Sequence, residues 1–301
     1  MTRALAVVAL VLVLAAGVTA QPPEPGRFDG AAALRHVERL VAIGPRPAGS
    51  LGSAHAREYI TGELRRAGVQ ARTEPFDAET PDGRLKMANV VAVVPGRRPD
   101  VILIGGHYDT KAFRDFRFVG ANDGGSSTAL LLELARVLAA PRREYTYWVA
   151  FFDGEEARGT WTSADSLYGS RRLAVDLGRR GRLPRAVIVT DMIGDRNLNI
   201  RREALSTPWL TDLVWESARR LGHGMHFLAE VMVVEDDHEP FLRAGVPAML
   251  LIDFDYPPWH TAGDTLDKVS ARSLQVVGDV LLDALPAIEA RLDGLPGAGR
   301  R

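Results

Sequence analysis

The chain has 301 residues, with 37 Lys and Arg against 38 Asp and Glu, and no cysteine. That length is enough for one large core. The balanced charge excludes a nucleic-acid binder relying on a basic surface, and the missing thiols exclude disulfide staples and thiolate metal ligands.

In chain order, residues 1–20 read as a secretory signal peptide: Arg3 supplies the positive start, and the apolar run 4–16 is too short for a comfortable membrane span. Val18-Thr19-Ala20 is a small-residue cleavage site, so the mature chain is expected to begin at Gln21. It would form one α/β domain over 21–301, with a tail fraying from about 294. The expected product is exported, to a periplasm or beyond the cell, and monomeric, with no stable membrane association once the leader is cut.

Residues 31–43 carry Leu34, Val37, Leu40 and Val41 at helical spacing. A Pro-Arg-Pro-Ala-Gly-Ser loop over 45–50 leads to a second helix over 54–67, stopped by Gly68. Strands are predicted near 69–76 and over 88–94, 101–107, 145–152, 186–192 and 247–252. Helices are predicted over 125–139, 207–221 and 271–292, the last with a kink at Pro286. The alternation points to an α/β fold: a three-layer, open, twisted, mixed but mostly parallel β-sheet flanked by helices.

Five potential metal ligands fall where predicted strands run out or a helix begins nearby: His107, Asp123, Glu156, Asp191 and His260. In open α/β sheets that edge is where ligands bind. Imidazole and carboxylate are what Zn²⁺ takes when no thiolate is on offer. Five ligands suffice for one zinc or two, and the spacing alone leaves both open. Asp109, two residues from His107 on an extended segment, points to the same side and can orient the imidazole through its second N–H. Asp123 precedes a helix, where a plain N-cap is the bland alternative. Glu155 and Glu156 follow a buried strand and Asp153-Gly154, so one carboxylate can face a metal while the other serves as general acid and base. Asp191 directly follows Val187-Ile188-Val189-Thr190, a costly place for an acid unless it is paired or ligated. The run Glu235-Asp236-Asp237-His238 reads as part of a site wall rather than a metal ligand, with His238 itself left open. Asp264-Thr265 reads as a turn closing the site loop.

These residues resemble the zinc aminopeptidase and glutaminyl cyclase superfamily. The resemblance runs from Gly44-Pro45-Arg46-Pro47-Ala48-Gly49 to the last helix. In its two-zinc aminopeptidases, residues matching His107, Asp123 and Asp191 hold one zinc, and those matching Asp123, Glu156 and His260 hold the other. Several stretches are more similar to the glutaminyl cyclases. They include His107-Tyr108-Asp109-Thr110-Lys111, Phe151-Phe152-Asp153-Gly154-Glu155-Glu156-Ala157, Trp161 with Asp165-Ser166-Leu167-Tyr168-Gly169-Ser170-Arg171, and Trp259-His260-Thr261. That likeness implies a single zinc on Asp123, Glu156 and His260, with Glu155 as general acid and base. It also implies a carboxylate relay through Asp191 and Asp236, and a substrate pocket lined by Trp161, Tyr256 and Trp259. The implied reaction is cyclisation of an N-terminal glutamine of peptides or proteins to pyroglutamate, with loss of ammonia. Two departures stand out: Glu235 sits where the animal cyclases carry an amide, and Asp123-Gly124-Gly125 follows the aminopeptidase pattern. The alternatives are a two-zinc aminopeptidase and a metal-stabilised binding domain without activity.

Overall fold

The computed structural model describes residues 26–295; the expected leader at 1–20 and the tail beyond 295 lie outside them. Four apolar runs form the parallel heart of a sheet: β3 (Val101–His107), β4 (Thr146–Phe152), β5 (Ala186–Asp191) and β8 (Ala248–Ile252). An antiparallel hairpin, β1 (Gln70–Thr80) and β2 (Gly83–Val94), extends one side, giving the order β1-β2-β4-β3-β5-β8. The mixed, mostly parallel sheet is therefore the expected one. The hairpin runs past the predicted end at 76, because most of β1 is exposed, with only Phe76 and Ala78 buried, and carries little apolar signal.

The period of two along each strand divides the core between the sheet faces. Ile102 and Ile104 pack with α1 (Gly30–Ile43), α2 (Leu51–Arg66), α3 (Gly125–Leu138), α5 (Pro208–Arg220) and α7 (Ala271–Asp293). Leu103 faces the other way, toward α4 (Tyr168–Arg179) and α6 (Glu239–Arg243). Helix starts follow ordinary capping: Asp29 accepts from the N–H groups of Ala31 and Ala32, and Ser270 from that of Ser273. Helix α7 runs on through Pro286. A separate two-stranded parallel sheet, β6 (Ile200–Glu203) and β7 (Phe227–Met232), was not expected from the sequence; nor were α4 and α6. No helix among the described residues is long and apolar enough to cross a membrane.

The parallel strands matter most for what lies at their C-terminal ends. His107 is the last residue of β3 and Asp191 the last of β5. Glu155 and Glu156 follow β4, Asp123 precedes α3, and His260 follows β8.

Candidate metal centre and cavity

Three turns bring these side chains together. After β4, Gly154 takes φ 71°, and a Cβ there would stand 2.7 Å from Met87 Sδ. Only glycine suits both demands. The turn is pinned from both sides: the Asp153 carboxylate accepts from the Ala88 N–H at 2.9 Å and lies 3.2 Å from the Arg57 guanidinium. Glu155 N–H donates to Asp109 Oδ1 at 3.1 Å. Asp109 lies 3.6 Å from His107 Nδ1, on the side of the ring expected for an orienting carboxylate but beyond hydrogen-bond distance, so its shown hydrogen-bond role is to hold the Glu155 backbone.

Before α3, Gly124 takes φ 73°, and a Cβ there would sit 2.5 Å from the Asp109 carbonyl and 3.1 Å from the His107 ring. The close approach seats Asp123 beside His107. Asp264 fixes this loop from the far side, accepting from the N–H groups of Asn122 and Asp123 at 2.8 and 3.1 Å. Beneath it lies Arg46, fully buried, which donates to the carbonyls of Tyr108, Val119 and Gly120 at 3.0, 2.6 and 2.9 Å. Burial lowers its pKa to about 10, against the opposing pull of Asp264, Asp123 and Asp109, so it stays charged at neutral pH.

Two ligand triads result, sharing Asp123: Asp123 with Glu156 and His260, and Asp123 with His107 and Asp191. Within each, the candidate donor atoms lie within 4.8 Å of one another. His260 Nε2 is 3.1 Å from Glu156 Oε1 and 3.4 Å from Asp123 Oδ2. His107 Nε2 is 3.0 Å from Asp191 Oδ1 and 3.4 Å from Asp123 Oδ1. His260 itself holds φ 53°, and Met192, just past Asp191, holds φ 45°. Positive φ is uncommon outside glycine and gathers at functional sites, where the surroundings fix it.

The electrostatics call for a cation. Asp123 Oδ2 is buried and has no hydrogen-bond partner. Burial, and then the neighbouring Glu156, push Asp123 up to about 7. Burial likewise raises Glu155 well above the carboxylate range; Glu156, Asp236 and Asp237 add to that, and His107 opposes it. Burial followed by Asp191 lifts Asp236 to about 7. Glu156 differs: burial pushes it up, but His260 and Lys111 together hold it below the usual value. A divalent ion in either triad would offset this crowding, and an all-oxygen-and-imidazole donor set suits Zn²⁺.

The carboxylates line a cavity of about 480 Å³ with Lys111, Trp161, Val233, Val234, Glu235, Ile252, Phe254 and Trp259. Trp259 stacks on the His260 ring at a centroid distance of 4.2 Å and an interplanar angle of 22°. Phe113 and Phe118 meet the same imidazole edge-on at 5.7 and 6.0 Å. Trp161 reaches across to Glu235, its indole N–H donating to Oε2 at 3.1 Å.

One residue sits elsewhere than expected. Tyr256 is buried behind the wall, its hydroxyl donating to Asp264 Oδ1 at 2.7 Å, and it does not line the cavity. Phe254, which the sequence reading passed over, takes the wall position. Of the run Glu235-Asp236-Asp237-His238, Glu235 and Asp236 line the cavity, whereas His238 is fully buried with Nε2 3.1 Å from Glu203 Oε2. Lys111 and Arg46 appeared in the sequence only within longer motifs. Their roles depend on where distant carbonyls and carboxylates meet, which no local spacing records.

Comparison with known proteins places this geometry. The model of peptidase family M28 matches residues 89–285, which takes in all five candidate ligands and Glu155. The glutaminyl-peptide cyclotransferase of Boiga irregularis is 31% identical over 274 residues, covering 77% of this chain and 74% of that protein. The crystal structure of an Acidobacteriales bacterium glutaminyl cyclase superposes with a TM-score of 0.85 at 42% identity, over 92% of this chain and 100% of that one. A leucine aminopeptidase precursor from Bacteroides thetaiotaomicron gives a TM-score of 0.80 at 26% identity, over 86% and 97%. On its matched span and its cyclase relatives together, the chain belongs to peptidase family M28 and, within it, to the glutaminyl-peptide cyclotransferase family.

Proposed function

We propose that the protein converts the N-terminal glutamine of peptides or proteins to pyroglutamate, releasing ammonia. The observation that carries this is the placement of Glu155. It lies in the cavity beside the Asp123–Glu156–His260 triad but belongs to neither triad, so its carboxylate is free for proton transfer. Zinc bound by Asp123, Glu156 and His260 would supply Lewis-acid polarisation of the glutamine γ-carbonyl. The substrate's α-amine attacks that carbon intramolecularly, so holding the side chain folded does much of the work. Glu155 accepts the proton lost by the amine as the new C–N bond forms. It returns that proton to the departing amide nitrogen, which leaves as ammonia. No water is consumed, and Trp161 and Trp259 are aromatic walls of the cavity in which the compact side chain would sit. Asp191 and Asp236 line the same cavity as Glu155 and would serve as the carboxylates of a proton relay. To this reading we attach a single zinc per chain and a monomeric protein, exported on the ground of the leader read at residues 1–20.

The same geometry keeps one competitor in view. The His107–Asp123–Asp191 triad is assembled as well, as a two-zinc aminopeptidase would need, and Glu155 would then activate water for peptide hydrolysis. Metal analysis separates the two readings: one equivalent of zinc per chain is expected, and two equivalents together with peptide hydrolysis would favour the aminopeptidase.

Chelation gives an independent check on the metal. An ion that binds only the folded chain stabilises it by about 4 kcal/mol at a thousandfold excess over its Kd. For a chain of this size, that corresponds to roughly 7 °C in Tm. Stripping the zinc is therefore expected to lower the melting midpoint by roughly that amount, with recovery on zinc addition. An unchanged midpoint would reject a stabilising ion.

A further inference from the structure

We infer that Glu235 sets the charge preference of the site for the residue that follows the N-terminal glutamine, favouring basic side chains over acidic ones. The inference rests on the cyclase reading above and adds the class of peptide that the site selects.

The cavity is layered. Asp123, Glu155, Glu156, Asp191 and Asp236 are buried at its floor. The reacting glutamine must sit there, because its γ-carbonyl has to meet the ligand triad and its amine Glu155. The next residue of the peptide therefore lies at the mouth, among Val233, Phe254 and Trp259, which are 69%, 37% and 40% exposed. These are apolar and tolerate many side chains. Two other charges line the cavity outside the floor, Lys111 and Glu235. Lys111 is engaged: its ammonium donates to the Ala157 carbonyl at 3.0 Å and lies 3.5 Å from Glu156 Oε2. Glu235 is exposed, so its charge faces the solvent and the incoming chain.

A long exposed carboxylate is ordinarily free to swing away, and ion pairs formed by such groups are weak. Glu235 is tethered instead. Its Oε2 accepts from the Trp161 indole at 3.1 Å, which holds the charge at the rim against a ring that is itself part of the wall. An exposed charge that is held in place and meets a partner at contact distance is worth on the order of 1 kcal/mol, about fivefold. Attraction of a cation and repulsion of an anion act in opposite directions, so the contrast between basic and acidic peptides is larger than either effect alone. Both are screened by salt.

The test compares kcat/KM for ammonia release from Gln-Lys-Ala and Gln-Glu-Ala amides, with wild-type zinc-loaded protein, E235Q and E235K. Glutamine at 235 keeps a carbonyl acceptor for the Trp161 indole and removes only the charge. The expected wild-type preference for the lysine peptide is about five- to twentyfold at low salt. It should fall toward one in E235Q and at high salt, and invert in E235K. The preference is a ratio, so a general loss of activity in either variant cancels. A wild-type ratio near one, or a ratio that survives E235Q, would overturn the assignment. Absence of ammonia release from both peptides with the wild type would instead remove the cyclase reading, and this inference with it.

Discussion

Glu155→Gln is expected to lower kcat by about 10²- to 10⁴-fold, the range for losing a positioned general acid–base, while bound zinc stays at the wild-type level. The two effects separate because Glu155 belongs to neither ligand triad. Its backbone N–H, held by Asp109, is untouched by the change. The substituted amide matches the carboxylate in shape but can neither take up the proton of the attacking amine nor return it to ammonia. Burial lifts the Glu155 carboxyl well above the ordinary range. Kinetics of ammonia release, run beside metal analysis of the same samples, check both halves. Retained turnover would show that another group moves the proton. Lost turnover with lost zinc would show that Glu155 helps hold the ion.

The second large effect is expected far from the reacting atoms. Arg46→Met should destabilise the protein by roughly 3–5 kcal/mol, because removing one side of a buried charged network strands the groups it satisfied. Here the stranded groups are the carbonyls of Tyr108, Val119 and Gly120, together with that of Gly44 at 3.2 Å. Methionine fills the volume but donates nothing, and the Asp123 and Asp264 carboxylates lose a nearby cation. Arg46→Lys keeps the charge, yet a single ammonium cannot reach carbonyls spread around a planar fork, so an intermediate loss is expected. Urea denaturation of zinc-free protein measures this without the contribution of the ion. A change in stability below about 1 kcal/mol for Arg46→Met, the ordinary scale for surface substitutions, would show that the loop carrying Asp123 is held by other contacts.

The parallel sheet was legible because β3, β4, β5 and β8 are buried on both faces and read as unbroken apolar runs. The ligands were legible for a related reason: acids and imidazoles directly beyond such runs are costly without a partner. What stayed hidden has weak local signals. Helix α4 opens after Leu167 at φ 52°, with no side-chain cap, and carries Gly169, Gly178 and three arginines. Helix α6 spans five residues around Pro240. Strands β6 and β7 pair only with each other, and β7 leaves half of its residues exposed, so neither shows the burial pattern of a core strand. The misplaced wall residue has the same origin. Tyr256 and Phe254 are neighbours in an Asp-Phe-Asp-Tyr segment, and only the Asp264 acceptor, eight residues on, decides which ring turns inward.

The central claim is that this scaffold closes a glutamine onto its own amine rather than cutting a peptide bond with water. The most direct test incubates one zinc-loaded sample with a short glutamine-initiated peptide and, in parallel, with a leucine anilide. Release of ammonia with a product lighter by one ammonia, and no anilide cleavage, is the predicted result. Anilide cleavage without cyclisation would contradict it and assign His107 and Asp191 to a second zinc.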